Sequence, residues 1–145
     1  RTPDSSMSEL VRIVVTTLAS GGNVFIPTYP CGAIYDIIEF LRNKQPHVNI
    51  CCISPIAEFC LAYANIVMEW LCGPKQEKVY QPSEPFGHQE LKRRTPPQLH
   101  TFTSITDPGF RKAQQANGGR PSVYFVSHPS LQLGDIAHFL HGWPQ

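Results

Sequence analysis

The chain has 145 residues, of which 41% are apolar, 10% aromatic and 16% charged, enough for one packed domain and too apolar for a disordered tail. Lys and Arg number 12 against 11 Asp and Glu, a net charge of +1, so bulk charge leaves no broadly basic footprint and any polyanion must meet a local patch. No apolar run approaches the ~20 residues a membrane helix needs, and the polar start from Arg1 to Glu9 is unlike a signal peptide; a soluble chain with no membrane partner is expected.

Ser6-Met7-Ser8-Glu9 reads as a capping box, Met7, Leu10, Val11, Val14 and Leu18 recur at helical spacing, and Ser20-Gly21-Gly22 stops the run. Asn23-Val24-Phe25-Ile26 is a short continuous apolar stretch of the kind found in strands covered on both faces, and Pro27 ends it. Beyond Thr28-Tyr29-Pro30-Cys31-Gly32, Ile34, Ile37, Ile38 and Leu41 form one stripe of a second helix reaching about Asn43. Val48 to Ile53 is the next strand. Ser54-Pro55 then supplies an N-cap and a first-turn proline for a long helix predicted to run to Cys72, where Gly73-Pro74 closes it.

Lys75 to Arg120 reads differently. It holds five of the 14 prolines, six with Pro74, and eight basic against four acidic residues, a local +4. This basic, proline-rich insertion is expected to be mostly loop, with short strands at Val79-Tyr80 and Leu99 to Phe102 and short helices at His88 to Arg93 and Gly109 to Ala116. Ser122 to Ser127 is a clear strand, and Gly134 to His141 a closing helix. Alternating strands and helices predict a single α/β domain over residues 1–145, with a three-layer, mostly parallel twisted sheet and helices on both faces.

The five cysteines, Cys31, Cys51, Cys52, Cys60 and Cys72, are odd in number with no CxxC pair. That argues against a disulfide framework or zinc ribbon and favours a reducing compartment, cytosol or nucleus. The six histidines form no HxH, HExxH or HxxxDH pattern, so a hydrolytic metal site lacks its ligands. Asp135, His138 and His141 share helical spacing, but a solvated face explains them as well. No Gly-x-Ser-x-Gly elbow and no dinucleotide or Walker glycine motif appears. No residue is assigned a catalytic role, and no cofactor is implied.

Ligands of open α/β sheets gather at the carboxyl ends of the strands. Three turns fall there: Pro27 to Gly32, Ser54-Pro55 and Ser127 to Gly134. Each precedes a helix whose free N–H groups and dipole favour an anion, which makes Thr28, Tyr29, Gly32, Ser54, Ser127, His128 and Ser130 the candidate phosphate-facing residues. Ordinary N-caps and tight turns are the plainer reading of the same residues. Lys92, Arg93 and Arg94 form a basic cluster that could neutralise RNA or DNA phosphates or meet an acidic partner, although such clusters are usually just solvated.

Gly21-Gly22-Asn23-Val24-Phe25-Ile26-Pro27, Ile53-Ser54-Pro55-Ile56-Ala57 and Pro121 to Leu131 resemble, in order and spacing, the signatures of the β-CASP domain. This is the helicase-like cap inserted into metallo-β-lactamase-fold nucleases that process RNA or DNA. Tyr29-Pro30-Cys31-Gly32, Ile34-Tyr35-Asp36, Glu69-Trp70-Leu71-Cys72, Lys78-Val79-Tyr80 and Ser127 to Leu131 narrow the resemblance to one branch of that family, a subunit of an RNA-processing complex.

The resemblance implies a fragment of a larger protein whose other half would carry any zinc ligands. Active relatives continue the first signature with Gly-Arg and Gln-Glu pairs and often close the last with Ser-Pro-Gly. Here those places hold Gly32-Ala33, Tyr35-Asp36 and Ser127-His128-Pro129-Ser130. The implied reading is a pseudo-nuclease working in the nucleus, with the cytoplasm as a second compartment. It would scaffold a homologous catalytic endonuclease subunit and contact other subunits of its complex, with RNA as a further partner. The alternatives are the cap of an active zinc-dependent endoribonuclease and a pseudo-nuclease of the cleavage and polyadenylation machinery.

Overall fold

A computed structural model describes residues 2–67, 70–80 and 86–142, with backbone alone at 74 and 78–80. Glu69 of the family-like segments and Pro82 and Pro85 of the insertion lie outside the described residues.

The first helix, α1 (Pro3–Ala19), starts earlier than its capping-box signal. Thr2 is the N-cap, its hydroxyl accepting from the Ser5 N–H, and Pro3 fits the first turn because its missing N–H would be unpaired there anyway. Strand β1 (Val24–Pro27) leads to α2 (Ala33–Lys44), which buries Ile34, Ile37, Ile38 and Leu41 as the spacing predicts. Strand β2 (Asn49–Ile53) follows.

The long helix expected after Ser54-Pro55 is not formed as such. Helix α3 (Ala57–Ala64) ends at Asn65, and α4 (Gly73–Tyr80) begins where closure was expected. Gly-Pro is as compatible with a helix start as with a stop, since proline fits a first turn as well as it breaks an interior one. The same helix replaces the strand expected at Val79-Tyr80. The rest of the insertion follows the sequence: α5 (His88–Arg93), β3 (Leu99–Phe102) and α6 (Pro108–Ala116). Strand β4 (Ser122–Val126) and α7 (Asp135–Gly142) complete the chain.

The four strands form one sheet in the order β1-β4-β2-β3, and every neighbouring pair is parallel. Val24 faces Val123, Asn49 faces Ser122 and Ile50 faces Leu99. Because successive side chains point to opposite faces, Ile50, Cys52, Val123 and Phe125 join one core with Val14, Ile38 and Leu61 from α1, α2 and α3. Cys51, Ile53, Tyr124 and Val126 join a second with Phe110 of α6 and Phe139 of α7. This is a three-layer α/β sandwich. Strand β1 is covered on both faces, Val24 and Ile26 on one core and Phe25 on the other, and is only half-buried because it is an edge strand.

Candidate functional site

Parallel pairing puts the ends of β1, β4 and β2 side by side, so the three candidate turns share one edge of the sheet. The ladder runs one residue into each: Thr28 N–H donates to the Val126 carbonyl at 3.1 Å, Ser54 N–H to Phe102 at 2.9 Å and Ser127 N–H to Ile53 at 3.4 Å. Thr28, Ser54 and Ser127 line a shallow cleft floored by Ile34, Cys52 and Phe125. The Ser54 hydroxyl accepts from the Ile56 N–H at 3.5 Å, a turn-capping role, and α3 has no side-chain N-cap.

Tyr29 crosses from the β1 turn to the β4 turn. Its Oη lies 2.8 Å from His128 Nε2, with the rings edge to face at 5.1 Å. On the other side of the imidazole, Nδ1 meets the Ser130 Oγ at 2.9 Å and the Ser130 N–H at 3.2 Å. A backbone N–H can only donate, so Nδ1 is an acceptor and the neutral ring carries its proton on Nε2. His128 therefore donates to Tyr29 Oη, and the phenol proton of this 49% exposed side chain is left for an outside acceptor. The loop folds back on its own start at Gly134, whose φ is +75° and where a Cβ would sit 2.9 Å from the Ser127 carbonyl oxygen.

The structure thus brings Tyr29, His128 and Ser130 into one hydrogen-bonded chain. Gly32 lies elsewhere. It precedes α2 with φ +72° and no side-chain cap, and it borders a separate groove with Tyr35, Asp36, Trp70, Lys75 and Phe86. There Lys75 Nζ pairs with Asp36 at 2.5 Å and Glu39 at 3.2 Å and sits over the Phe86 ring at 4.7 Å. Tyr35 donates to the Cys60 carbonyl at 2.8 Å, and burial pushes its phenol up to about 12. Spacing alone gave no sign of this ion-paired cluster, because Lys75 is reached only through the fold.

Lys92 and Arg93 form the last turn of α5, and Arg94 is its C-cap. Lys92 Nζ holds the Glu58 carboxylate at 2.7 and 2.8 Å, a bond that with the Thr101 hydroxyl keeps Glu58 below the usual carboxylate range. Arg94 donates to the Pro46 carbonyl at 2.7 Å and to Glu90 at 3.0 Å. Lys92 and Arg94 are therefore engaged within the domain. Asp135 accepts from the Ser104 hydroxyl and the Ile105 N–H, both at 3.2 Å, instead of grouping with His138 and His141. Among the described residues no group of three or more His, Cys, Asp or Glu is placed to hold a metal ion.

A parallel sheet between two helical layers, with its polar crossing at the carboxyl edge, defines a three-layer α/β domain of the class that takes ligands at its strand ends. No protein-family model matches the sequence. Among curated proteins the chain is 42% identical over 146 residues to the Integrator complex subunit 9 homolog of Nematostella vectensis and 38% identical to Integrator complex subunit 9 of Homo sapiens, each match covering 97% of the chain and 21% of the relative. It is 39% identical over 139 residues to the Dictyostelium discoideum homolog, covering 92% of the chain and 18% of that protein. The chain belongs with the Integrator complex subunit 9 proteins, and it spans about a fifth of the length of the relatives it matches.

Proposed function

We propose that this domain is the β-CASP cap of a catalytically inactive Integrator subunit, a scaffold for an active endonuclease paralogue in 3′-end processing of small nuclear RNA and other RNA polymerase II transcripts. Its partners on this reading are that paralogue and other Integrator subunits, its compartment is the nucleus, and it needs no cofactor of its own. The names of the relatives favour Integrator over the cleavage and polyadenylation machinery.

The observation that carries the inactive reading lies at Tyr35-Asp36. In the resemblance these positions stand where active relatives keep a Gln-Glu pair. Here Asp36 is ion-paired with Lys75 and Tyr35 is bonded to the Cys60 carbonyl, so both side chains serve packing between α2, α3 and α4. At Ala33 the arginine of active relatives is replaced by a methyl group, and the strand-end edge offers the Tyr29 hydroxyl in place of a cation.

The test is a cleavage assay on the full-length protein alone, on the paralogue alone and on the two together, with labelled RNA and zinc. The scaffold reading expects no cutting by this protein alone, cutting by the pair, and loss of cutting when the paralogue's metal ligands are substituted. Metal-dependent cutting by this protein alone would overturn it and leave the active-nuclease alternative.

A further inference from the structure

Tyr35 joins two cysteine-bearing segments. Its hydroxyl donates to the Cys60 carbonyl of α3 at 2.8 Å and lies 3.4 Å from the Pro30 carbonyl, which belongs to the peptide group leading into Cys31. The turn after β1 and the middle of α3 thus approach one phenol oxygen together. Their thiols converge on the same place. Burial, then the Cys60 and Cys31 thiols, raise the Tyr35 phenol, and the Cys60 thiol is itself raised by burial and then by Cys31.

The two sulfurs are unequal. Cys31 is exposed and immediately precedes Gly32, the N-cap of α2, which makes no side-chain cap bond. Exposed cysteines at helix N-termini are where thiol reactivity concentrates. Cys60 stands three positions after Ala57 and four before Ala64, so it shares their inward side of α3 and is half-buried. Cys51 and Cys52 are buried in the sheet. An accessible sulfur beside a sheltered one is the arrangement in which a first thiol is oxidised and a second resolves it, and transient disulfides of this kind are the ones that occur in reducing compartments.

We propose that Cys31 is a site of oxidation by hydrogen peroxide and that Cys60 resolves it to a reversible Cys31–Cys60 disulfide. In the first step the Cys31 sulfur attacks one peroxide oxygen, an S–O bond forms as the O–O bond breaks, and water leaves with the thiol proton. In the second the Cys60 sulfur attacks the Cys31 sulfur, the S–S bond forms as the S–O bond breaks, and a second water carries away the Cys60 proton. Two thiols lose two electrons in all, and one peroxide becomes two waters. The bond ties the turn after β1 to α3 beside the strand-end cleft, which Pro30 and Ala57 both line, and a dithiol reductant reopens it. The inference concerns thiol chemistry alone and does not depend on whether the protein cuts RNA.

The experiment treats reduced, folded full-length protein with hydrogen peroxide, blocks the remaining thiols with iodoacetamide and maps peptides without reduction. Cleavage after Glu39, Glu58 and Glu69 places Cys31, the Cys51-Cys52 pair, Cys60 and Cys72 in separate peptides. The expected product is the Cys31 peptide joined to the Cys60 peptide, lighter by two hydrogens than the two apart, formed at a yield independent of protein concentration and separated again by dithiothreitol. No such product, Cys31 joined instead to Cys72, or a yield that rises with concentration as a bond between two copies requires would each overturn the proposal. A second measurement tests the order of events. Dimedone, which traps sulfenic acid, is expected to label Cys31 at least about threefold more in Cys60→Ser than in the natural sequence, because the resolving thiol is gone. Equal labelling in the two proteins would overturn the role of Cys60.

Discussion

Tyr29 and His128 stand 99 positions apart in the chain and are joined by a 2.8 Å hydrogen bond that ties the turn after β1 to the turn after β4. Those strands are neighbours, so the bond continues the sheet's cross-linking past the point where backbone pairing stops. The Ser130 amide fixes the imidazole from behind. The polar edge is thereby held in one arrangement by side chains and not only by the backbone.

The first expectation concerns this tie. Tyr29→Phe removes one exposed hydrogen bond and should cost no more than about 1 kcal/mol in chemical denaturation, whereas His128→Ala also strips the acceptor from the Ser130 N–H and should cost about 1–2 kcal/mol. Amide exchange at Ser130 should speed up in His128→Ala and change little in Tyr29→Phe. Faster exchange in both to the same degree would mean that the phenol, not the ring, orders the loop.

Gly134 provides a backbone test. Its φ of +75° strains any L side chain, and an added Cβ would lie 2.9 Å from the Ser127 carbonyl oxygen, an atom that cannot move without disturbing the end of β4. Gly134→Ala should therefore cost about 2–4 kcal/mol, the strain of the left-handed conformation plus a clash. Gly118→Ala has similar strain, φ +63°, but open space, and should cost about 1–2 kcal/mol. Equal losses in melting experiments would show that the loop gives way at Ser127.

His88 sets the behaviour in acid. Its side chain is almost fully buried against Tyr35 and Phe86, with Nε2 2.9 Å from the Leu61 carbonyl, and burial holds its pKa below the ordinary 6.5. The unfolded chain takes up this proton as pH falls through 6.5 while the folded chain resists, so stability should fall from about pH 6.5 downward. His88→Leu removes that proton and should flatten the slope of unfolding free energy between pH 6.5 and 5. An unchanged slope would assign the acid sensitivity to other groups.

How much was legible in the sequence follows from what each signal measures. The strands at Val48 to Ile53 and Ser122 to Ser127 stood out because a strand buried on both faces needs an unbroken apolar run, and their parallel pairing brought the three turns to one edge as expected. Periodicity fails where apolar residues serve two purposes. The helix expected to run from Ser54-Pro55 to Cys72 stops at Asn65, and Ile66 just beyond it belongs to the outward surface and not to the core. Tyr29, His128 and Ser130 were recognisable as turn residues, but that they bond to one another depends on the strand order, and no local pattern encodes that. The basic cluster was visible as charge, while its engagement with Glu58, Glu90 and the Pro46 carbonyl came only from the packing of α5.

The cysteines give the alkaline counterpart of the histidine experiment. Cys51 and Cys52 are neighbours on β2 facing opposite cores, and burial raises both thiols, Cys51 to about 12 and Cys52 higher still. Unfolded, each would ionise near 9.0, so above that pH the unfolded chain loses protons that the folded chain keeps. The sign is fixed by this difference: stability is full below about pH 9 and declines as pH rises toward 12, by up to about 1.4 kcal/mol per pH unit for each thiol. Denaturant midpoints between pH 8 and 10.5 should therefore drop, and Cys51→Ala should remove about one proton's worth of the slope at some cost in packing at all pH values. Maleimide should modify exposed Cys31 and Cys72 in the folded protein while sparing Cys51 and Cys52 until denaturant is added. Early modification of the β2 pair under native conditions would mean that β2 opens locally, and the alkaline slope would then vanish with it.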